Sequence, residues 1–297
     1  MSDQPFLRQV ELLIGPLSEW RGGGNQDQAL RIYSDGTQDH LRVKFSIHKH
    51  LISTATPTVI SVYNLSAGLR AALRKSEAQI VLNIGWENRG LTQVFVGSLL
   101  AAVHERQGGD IVTNLISLAG FGGISRSVYS ITYNNQTQIS TIVKDFASQI
   151  PGIKIDPKLI NIKGTTVRAQ GWSFAGHTSE GLDRLARMFG FSWWINNGYF
   201  NALSDNKALQ GGRVLISSKN GSLLKAEPML ASPMQKQAGT TIQSILNPDI
   251  EPGKLIQLES EVNPKLNGEY KVHTLSHSGD TFGNDWRSSI ESWIQVI

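Results

Sequence analysis

Apolar and polar residues alternate with a period of two through most of the first 120 residues. The clearest run is residues 41–47, Leu-Arg-Val-Lys-Phe-Ser-Ile, a pattern that puts alternate side chains on opposite faces of a half-buried strand. The same reading predicts strands over residues 6–14, 57–65, 79–86, 93–103 and 110–119. A Gly15-Pro16 break ends the first of these, and Asn88-Arg89-Gly90 makes a tight connection between the third and fourth. Residues 20–34 are polar and carry Gly22-Gly23-Gly24, which predicts a loop. Ser66 is placed to cap a short helix over residues 67–74, with Leu65, Leu69 and Leu73 on one face.

The period changes in the middle of the chain. Ile139, Ile142, Val143, Phe146 and Ile150 fall on one face of a helix that Pro151-Gly152 stops. Leu182, Leu185, Ala186 and Phe189 repeat the pattern over residues 179–189. Thr178 or Ser179 is the expected N-cap, and Gly190 suits the first position past the helix. Asn197-Gly198 then lies between two aromatic-rich runs, 191–195 and 199–203. That is the signal for a two-residue type I′ hairpin turn, because both residues tolerate positive φ. Beyond residue 203 the chain returns to strand signals, over residues 255–258, 270–275 and 288–296, with turns at Pro252-Gly253 and Asn267-Gly268.

These patterns predict a mainly β fold with an α+β insertion. Two small β-barrels, residues 1–120 and 204–297, flank a helix-containing middle domain, residues 121–203. The two β zones are similar in length, which admits duplication of one unit, but no residue-level repeat is visible.

Composition narrows the chemistry. The 297 residues include no cysteine, which excludes disulfides, thiolate catalysis and Cys-ligated metals. A net charge of +4 comes from 28 basic and 24 acidic residues with no basic block, so the balance describes a soluble surface rather than a nucleic-acid footprint. No stretch reaches the roughly 18 apolar residues of a membrane helix, and no membrane anchor is expected. The N-terminus lacks the basic and apolar segments of a secretory signal.

Candidate sites are sparse. His48 and His50 share a strand face, as do His273 and His277, but the latter pair would lie about 13 Å apart at strand rise, and a zinc site needs three or four ligands. Glu180 with Asp183, and Glu259 with Glu261, are the carboxylate pairs a glycosidase would require; neither has a cleft signature. Gly120-Phe121-Gly122-Gly123 lacks phosphate-loop spacing. Trp193 and Trp194, adjacent on a strand, point to opposite faces; one is expected in the core, the other is available to a sugar or protein. No catalytic, cofactor-binding or metal-binding residue is assigned, and no enzyme activity is expected.

Three stretches resemble the baseplate hub proteins of bacteriophage tails. The first is Phe45-Ser46-Ile47 followed by Val62-Tyr63-Asn64-Leu65-Ser66. The second is residues 80–86, Ile-Val-Leu-Asn-Ile-Gly-Trp, with Val94-Phe95-Val96-Gly97, where Trp86 stands in place of the usual tyrosine. The third is residues 266–272, Leu-Asn-Gly-Glu-Tyr-Lys-Val, with His277-Ser278-Gly279-Asp280-Thr281 and Asp285-Trp286. The resemblance covers both β zones; the middle zone matches only in pattern. It implies a structural virion protein, a homotrimer whose two barrels per subunit form a six-barrel ring. That ring adapts a six-fold tail tube to a three-fold central spike and surrounds a channel through which DNA passes. The implied partners are a second and third copy, the tail tube protein and the spike protein, with tape measure and baseplate wedge proteins as further candidates. The implied location is the tail baseplate of the virion, assembled in the bacterial cytoplasm. Alternatives are another tail subunit at the tube end or spike, a carbohydrate-binding adsorption module using Trp193 or Trp194, and a peptidoglycan hydrolase. The loop of residues 20–34 is expected to reach a neighbouring subunit or the tube.

Overall fold

The computed structural model describes residues 7–16, 30–52, 57–73, 78–167, 171–229, 239–292 and 295–296. Strands take 55% of the described residues and helices 14%, so the mainly β reading holds.

The first zone contains β1 (Arg8–Pro16), β2 (Leu30–Ser34), β3 (Val43–His50), β4 (Thr58–Tyr63), helix α1 (Ala67–Leu73), β5 (Ala78–Trp86), β6 (Gly90–Gln107) and β7 (Asp110–Leu118). The Ser66 hydroxyl accepts the Leu69 N–H at 3.3 Å, the expected cap of α1. Two expectations need correction. The chain does not break at Gly15 and Pro16: β1 continues through Pro16, opposite Ala78 of β5. Among the described residues the ladder to β2 spans Val10 to Ile14, and none of them pairs with Pro16 on that side, where its missing donor points. Residues 30–34 are strand β2 rather than loop, since Leu30 to Ser34 alternate and Ile32 is buried. The glycine run at 22–24 lies outside the described residues.

The middle zone contains α2 (Phe121–Ile124), β8 (Val128–Tyr133), α3 (Ile139–Ser148), β9 (Lys154–Asn161), β10 (Trp172–His177), α4 (Thr178–Phe189), β11 (Phe191–Asn196) and β12 (Tyr199–Ser204). The apolar face expected of α3 is buried throughout. Gly190 adopts φ 65° and donates its N–H to the Ala186 carbonyl. The N-cap of α4 is His177, without a side-chain cap bond. Thr178 is instead buried inside the first turn, its hydroxyl 2.5 Å from that of Ser127. Asn197 and Gly198 have φ of 50° and 80°, as a type I′ turn requires.

The third zone contains β13 (Val214–Ser217), β14 (Leu223–Met229), β15 (Gly239–Ile245), β16 (Leu255–Glu259), β17 (Gly268–Lys271), β18 (Thr274–Asp280), β19 (Trp286–Ser292) and β20 (Gln295–Val296). Residues 270–275, expected as one strand, are split between β17 and β18. These two strands pair with different parts of the last hairpin, β17 with β20 and β18 with β19. The chain thereby turns a corner at Val272–His273 and carries the hairpin from one sheet into another. β13, β16, β17 and β20 form the smaller sheet, and Ile216, Ile242, Leu258, Tyr270 and Ile290 fill the space between the two.

The dominant element is an eleven-stranded antiparallel sheet, ordered β14-β15-β19-β18-β3-β4-β7-β6-β5-β1-β2. It runs through both outer zones, because β18 pairs with β3 from Thr274↔His50 to Asp280↔Lys44. Within it the same four-strand motif occurs twice. In the first zone the strands lie in the order β3-β4-β7-β6, and in the third β14-β15-β19-β18. Each is a hairpin, a connection, and a second hairpin whose later strand pairs back on the first. The repeat that sequence did not reveal is present at residue level once strands are aligned by ladder. Thr58↔Ser117 and Ile60↔Leu115 on β4 and β7 answer to Thr240↔Ser292 and Ile242↔Ile290 on β15 and β19, and all eight residues are buried.

Candidate assembly surfaces and the seam between zones

The pairing of β18 with β3 makes a seam that side chains reinforce at both ends. At one end Asp280 receives Arg42 in a two-pronged ion pair, Nε to Oδ1 at 3.0 Å and Nη2 to Oδ2 at 2.6 Å. Its Oδ1 also accepts the N–H groups of Phe282 and Gly283, each at 3.1 Å. Burial would raise the carboxyl's pKa, but the guanidinium and the two N–H donors hold it below the ordinary range. Arg42 also lies over the Tyr63 ring at 4.6 Å. Trp286 closes this end, edge-on to both Phe45 and Trp86, with the Arg8 guanidinium 5.5 Å from its ring. The third-zone residues Trp286 and Leu246 thus complete the first-zone core.

At the other end three zones meet. The hairpin tip between β11 and β12 inserts Asn197, whose amide donates to Glu251 Oε1 at 2.9 Å and whose Oδ1 accepts Lys49 Nζ at 3.3 Å. Asn197 also exchanges hydrogen bonds with Gln93 through backbone and side chain. Lys49 is buried, with Glu251 at 3.8 Å as its counter-charge; desolvation pulls its pKa down to about 8, against the pull of Glu251. Below it lies His277, buried and hydrogen-bonded through Nδ1 to the Ser288 hydroxyl at 2.8 Å. Desolvation, then the Lys49 charge, pushes His277 down to about 3.

The residues singled out from sequence do not converge on a reaction centre. His48 is within 3.1 Å of the Ser46 hydroxyl. His273, lowered to about 4 by burial and then by Lys271, sits at the corner before β18, not on one strand face with His277. Among the described residues no three His, Asp or Glu side chains gather in a metal-holding group. Asp183 accepts the Trp193 indole N–H at 2.8 Å, and Glu259 accepts the Ser217 hydroxyl at 3.2 Å. The tryptophans do point to opposite faces, but both faces are covered. Trp193 joins the middle-zone core and Trp194 a smaller cluster with Leu51, Leu203 and Leu209. Each is 2% exposed, so neither offers a platform to a sugar, and the adsorption reading loses its residues. Sequence reasoning missed Lys49, Glu251 and Arg42, whose partners lie up to 238 positions away in the chain.

Residues 28–281 match the model of the family described as baseplate hub gp41. No curated protein sequence matches the chain significantly. Among solved structures, the fold is similar to the 43 kDa tail protein of prophage MuSo2 from Shewanella oneidensis, at 13% identity and a TM-score of 0.62, covering 95% of this chain and 96% of that one. A tail protein from Neisseria meningitidis MC58 is similar at 10% identity and a TM-score of 0.61, covering 95% and 96%. The Escherichia coli c3393 protein, described as a component of the type VI secretion system with structural similarity to the T4 tail proteins gp27 and gp5, is similar at 11% identity and a TM-score of 0.59, covering 86% and 73%.

Proposed function

The chain belongs to the baseplate hub gp41 family of bacteriophage tail proteins, and from that premise we propose that it works as a trimeric adaptor between a six-fold tail tube and a three-fold central spike. Each subunit contributes two small β-barrels, residues 1–120 and 204–297, joined edge to edge through β3 and β18, with the middle domain, residues 121–203, lying between them in the chain. Three subunits then present six barrel units around a channel that DNA crosses. The observation that carries this reading is the repeated four-strand motif fused into one sheet. A subunit with two equivalent β units matches a six-fold partner with only three copies, while the chain as a whole keeps three-fold symmetry.

The role is mechanical, and catalysis is no part of it. The partners are two further copies, the tube protein and the spike, and the site of action is the virion baseplate. Native mass spectrometry or light scattering tests the stoichiometry. Three chains of 32.6 kDa predict a particle of about 98 kDa. A stable monomer at all concentrations would reject the trimer. Co-sedimentation with the cognate tube protein tests the adaptor role; a trimer that ignores the tube rejects it.

A further inference from the structure

Three polar side chains, one from each zone, meet where alternation asks for apolar ones. Lys49 shares a face of β3 with Val43, Phe45 and Ile47, all buried, and an apolar residue is expected next on that face. Its side chain is 9% exposed and that of Glu251 20%. Asn197 comes from the turn between β11 and β12. The turn accounts for an asparagine at this position, but not for a carboxylate against its amide. A buried ion pair adds little net stability, so stability alone does not account for the trio either.

The three groups are oriented for a reaction. Asn197 Oδ1 accepts Lys49 Nζ at 3.3 Å, while Nδ2 donates to Glu251 Oε1 at 2.9 Å and to the Gln93 carbonyl at 3.3 Å. The amine thus faces the carbonyl end of the amide, and the carboxylate faces its nitrogen. Cγ lies one C=O bond of about 1.2 Å beyond Oδ1, and a small turn of the amide brings it to the roughly 3–3.5 Å of a near-attack pair. Glu251 Oε1 is also 3.8 Å from Nζ, so one carboxylate oxygen stands beside both the nucleophile and the leaving group.

We propose that the trio forms an isopeptide bond: Lys49 Nζ attacks Cγ of Asn197, Glu251 carries the protons, and ammonia leaves. The Lys49 ammonium first passes a proton to Glu251, which leaves a neutral amine. Desolvation favours that form, pulling the Lys49 pKa down to about 8 against the charge of Glu251. The Nζ–Cγ bond forms. Glu251 then gives its proton to Nδ2, and the Cγ–Nδ2 bond breaks. Nζ gives up a second proton, through Glu251, to the departing ammonia. One ammonium and one primary amide become one secondary amide and one ammonium ion, with Glu251 restored as a carboxylate. No outside reagent is needed.

The bond ties β3 to a turn 148 positions away, in a chain that has no cysteine to close such a loop. A cross-link of this length restricts the unfolded chain as a disulfide does. The inference does not rest on the trimeric reading. The Lys49–Glu251 ion pair is the unreacted state. Lys49→Met and Glu251→Ala both block the reaction, so their stabilities compare with that of the freshly folded, unreacted chain.

Intact-mass spectrometry of the denatured full chain, followed by peptide mapping, is the test. The expected mass is about 17 Da, one ammonia, below that calculated from the sequence. Trypsin should release a branched peptide joining residues 45–70 to residues 188–207. Lys49→Arg keeps the charge but has no amine to attack with, and should show its full mass. Glu251→Gln should slow the link by about 100-fold or more. Far-UV circular dichroism checks that both variants fold, and the map of the unaltered chain needs neither. A folded chain that keeps its full mass and yields only linear peptides after prolonged incubation overturns the proposal. So does an ammonia loss that persists in Lys49→Arg, which marks ring closure at Asn197-Gly198 instead. A link that forms equally fast in Glu251→Gln overturns the role of Glu251.

Discussion

His104 and His277 occupy equivalent positions in the two four-strand motifs, and each ring nitrogen Nδ1 faces a hydroxyl on the neighbouring strand. The distances are 3.1 Å to Thr113 and 2.8 Å to Ser288. The two positions differ in what lies on the other side. His277 is covered by β3, opposite Ile47, and is fully buried; His104 stands on the second half of β6, which among the described residues pairs only with β7, and is only half-buried. The same local chemistry thus sits once in a made seam and once at an edge.

Burial of the seam histidines predicts acid sensitivity. His273 and His277 titrate near 4 and 3 in the folded chain, against about 6.5 when unfolded. Between those values the unfolded chain binds protons that the folded chain refuses. Stability is therefore flat in this respect above pH 6.5 and falls as the pH drops toward 3, by up to about 1.4 kcal/mol per pH unit for each histidine. Guanidinium denaturation at pH 7, 6, 5 and 4.5 measures the slope. His277→Gln should flatten it; an unchanged slope would show that His277 is not the group refusing the proton.

Asp280 is the anchor of the seam's other end. Asp280→Ala leaves Arg42 without its carboxylate and the Phe282 and Gly283 N–H groups without their acceptor, in a site where the Asp280 side chain is 7% exposed. The expected cost is about 2–4 kcal/mol. Asp280→Asn keeps an oxygen for the two N–H donors and should cost less. Urea midpoints of the two variants compare them directly.

At the three-zone junction the two partners of the ion pair are not equivalent. Glu251→Ala strands the buried Lys49 without its counter-charge and leaves the Asn197 amide only its bond to the Gln93 carbonyl, at an expected cost of about 3 kcal/mol. Lys49→Met fills the same space without a charge, and Glu251 still has Lys254 at 3.6 Å, so the change should stay within about 1 kcal/mol. Hydrogen exchange of residues 191–204 reports the docking of the hairpin. Faster exchange in Glu251→Ala than in Lys49→Met is expected, and equal exchange would remove Glu251 from the role.

Gly181 sets the approach of α4 to α3. A Cβ built there would lie 2.2 Å from the Phe146 ring, whose side chain is fully buried. Gly181→Ala forces the two helices apart or Phe146 off its rotamer, at about 1–3 kcal/mol. Thermal denaturation should show the loss, and Phe146→Leu in the same chain should recover part of it.

Much of the local structure was legible in the chain because local rules govern it. Period two at residues 43–47, period 3.6 from Ile139 to Phe146, the Ser66 cap and the Asn197-Gly198 turn depend on neighbours a few positions away, and the structure keeps each of them. The lone strand expected over residues 270–275 failed because a corner is set by which strands pair on either side, not by alternation, which continues through it. The site was barely legible. Arg42 with Asp280, and Lys49 with Glu251, are ordinary surface-type charges in sequence, and only the ladder between β3 and β18 brings them together and buries them.

The repeated four-strand motif shows the boundary most clearly. Sequence by itself determined that both outer zones are β, that the middle zone carries two amphipathic helices, and that no cysteine chemistry is available. It could not show that Thr58, Ile60, Leu115 and Ser117 answer to Thr240, Ile242, Ile290 and Ser292, because these matches are scattered over separate short strands and line up only through the ladders between them. Which edges were joined and which were left open was decided by the tertiary structure alone, since a strand's hydrogen bonds are made by backbone groups that every residue carries.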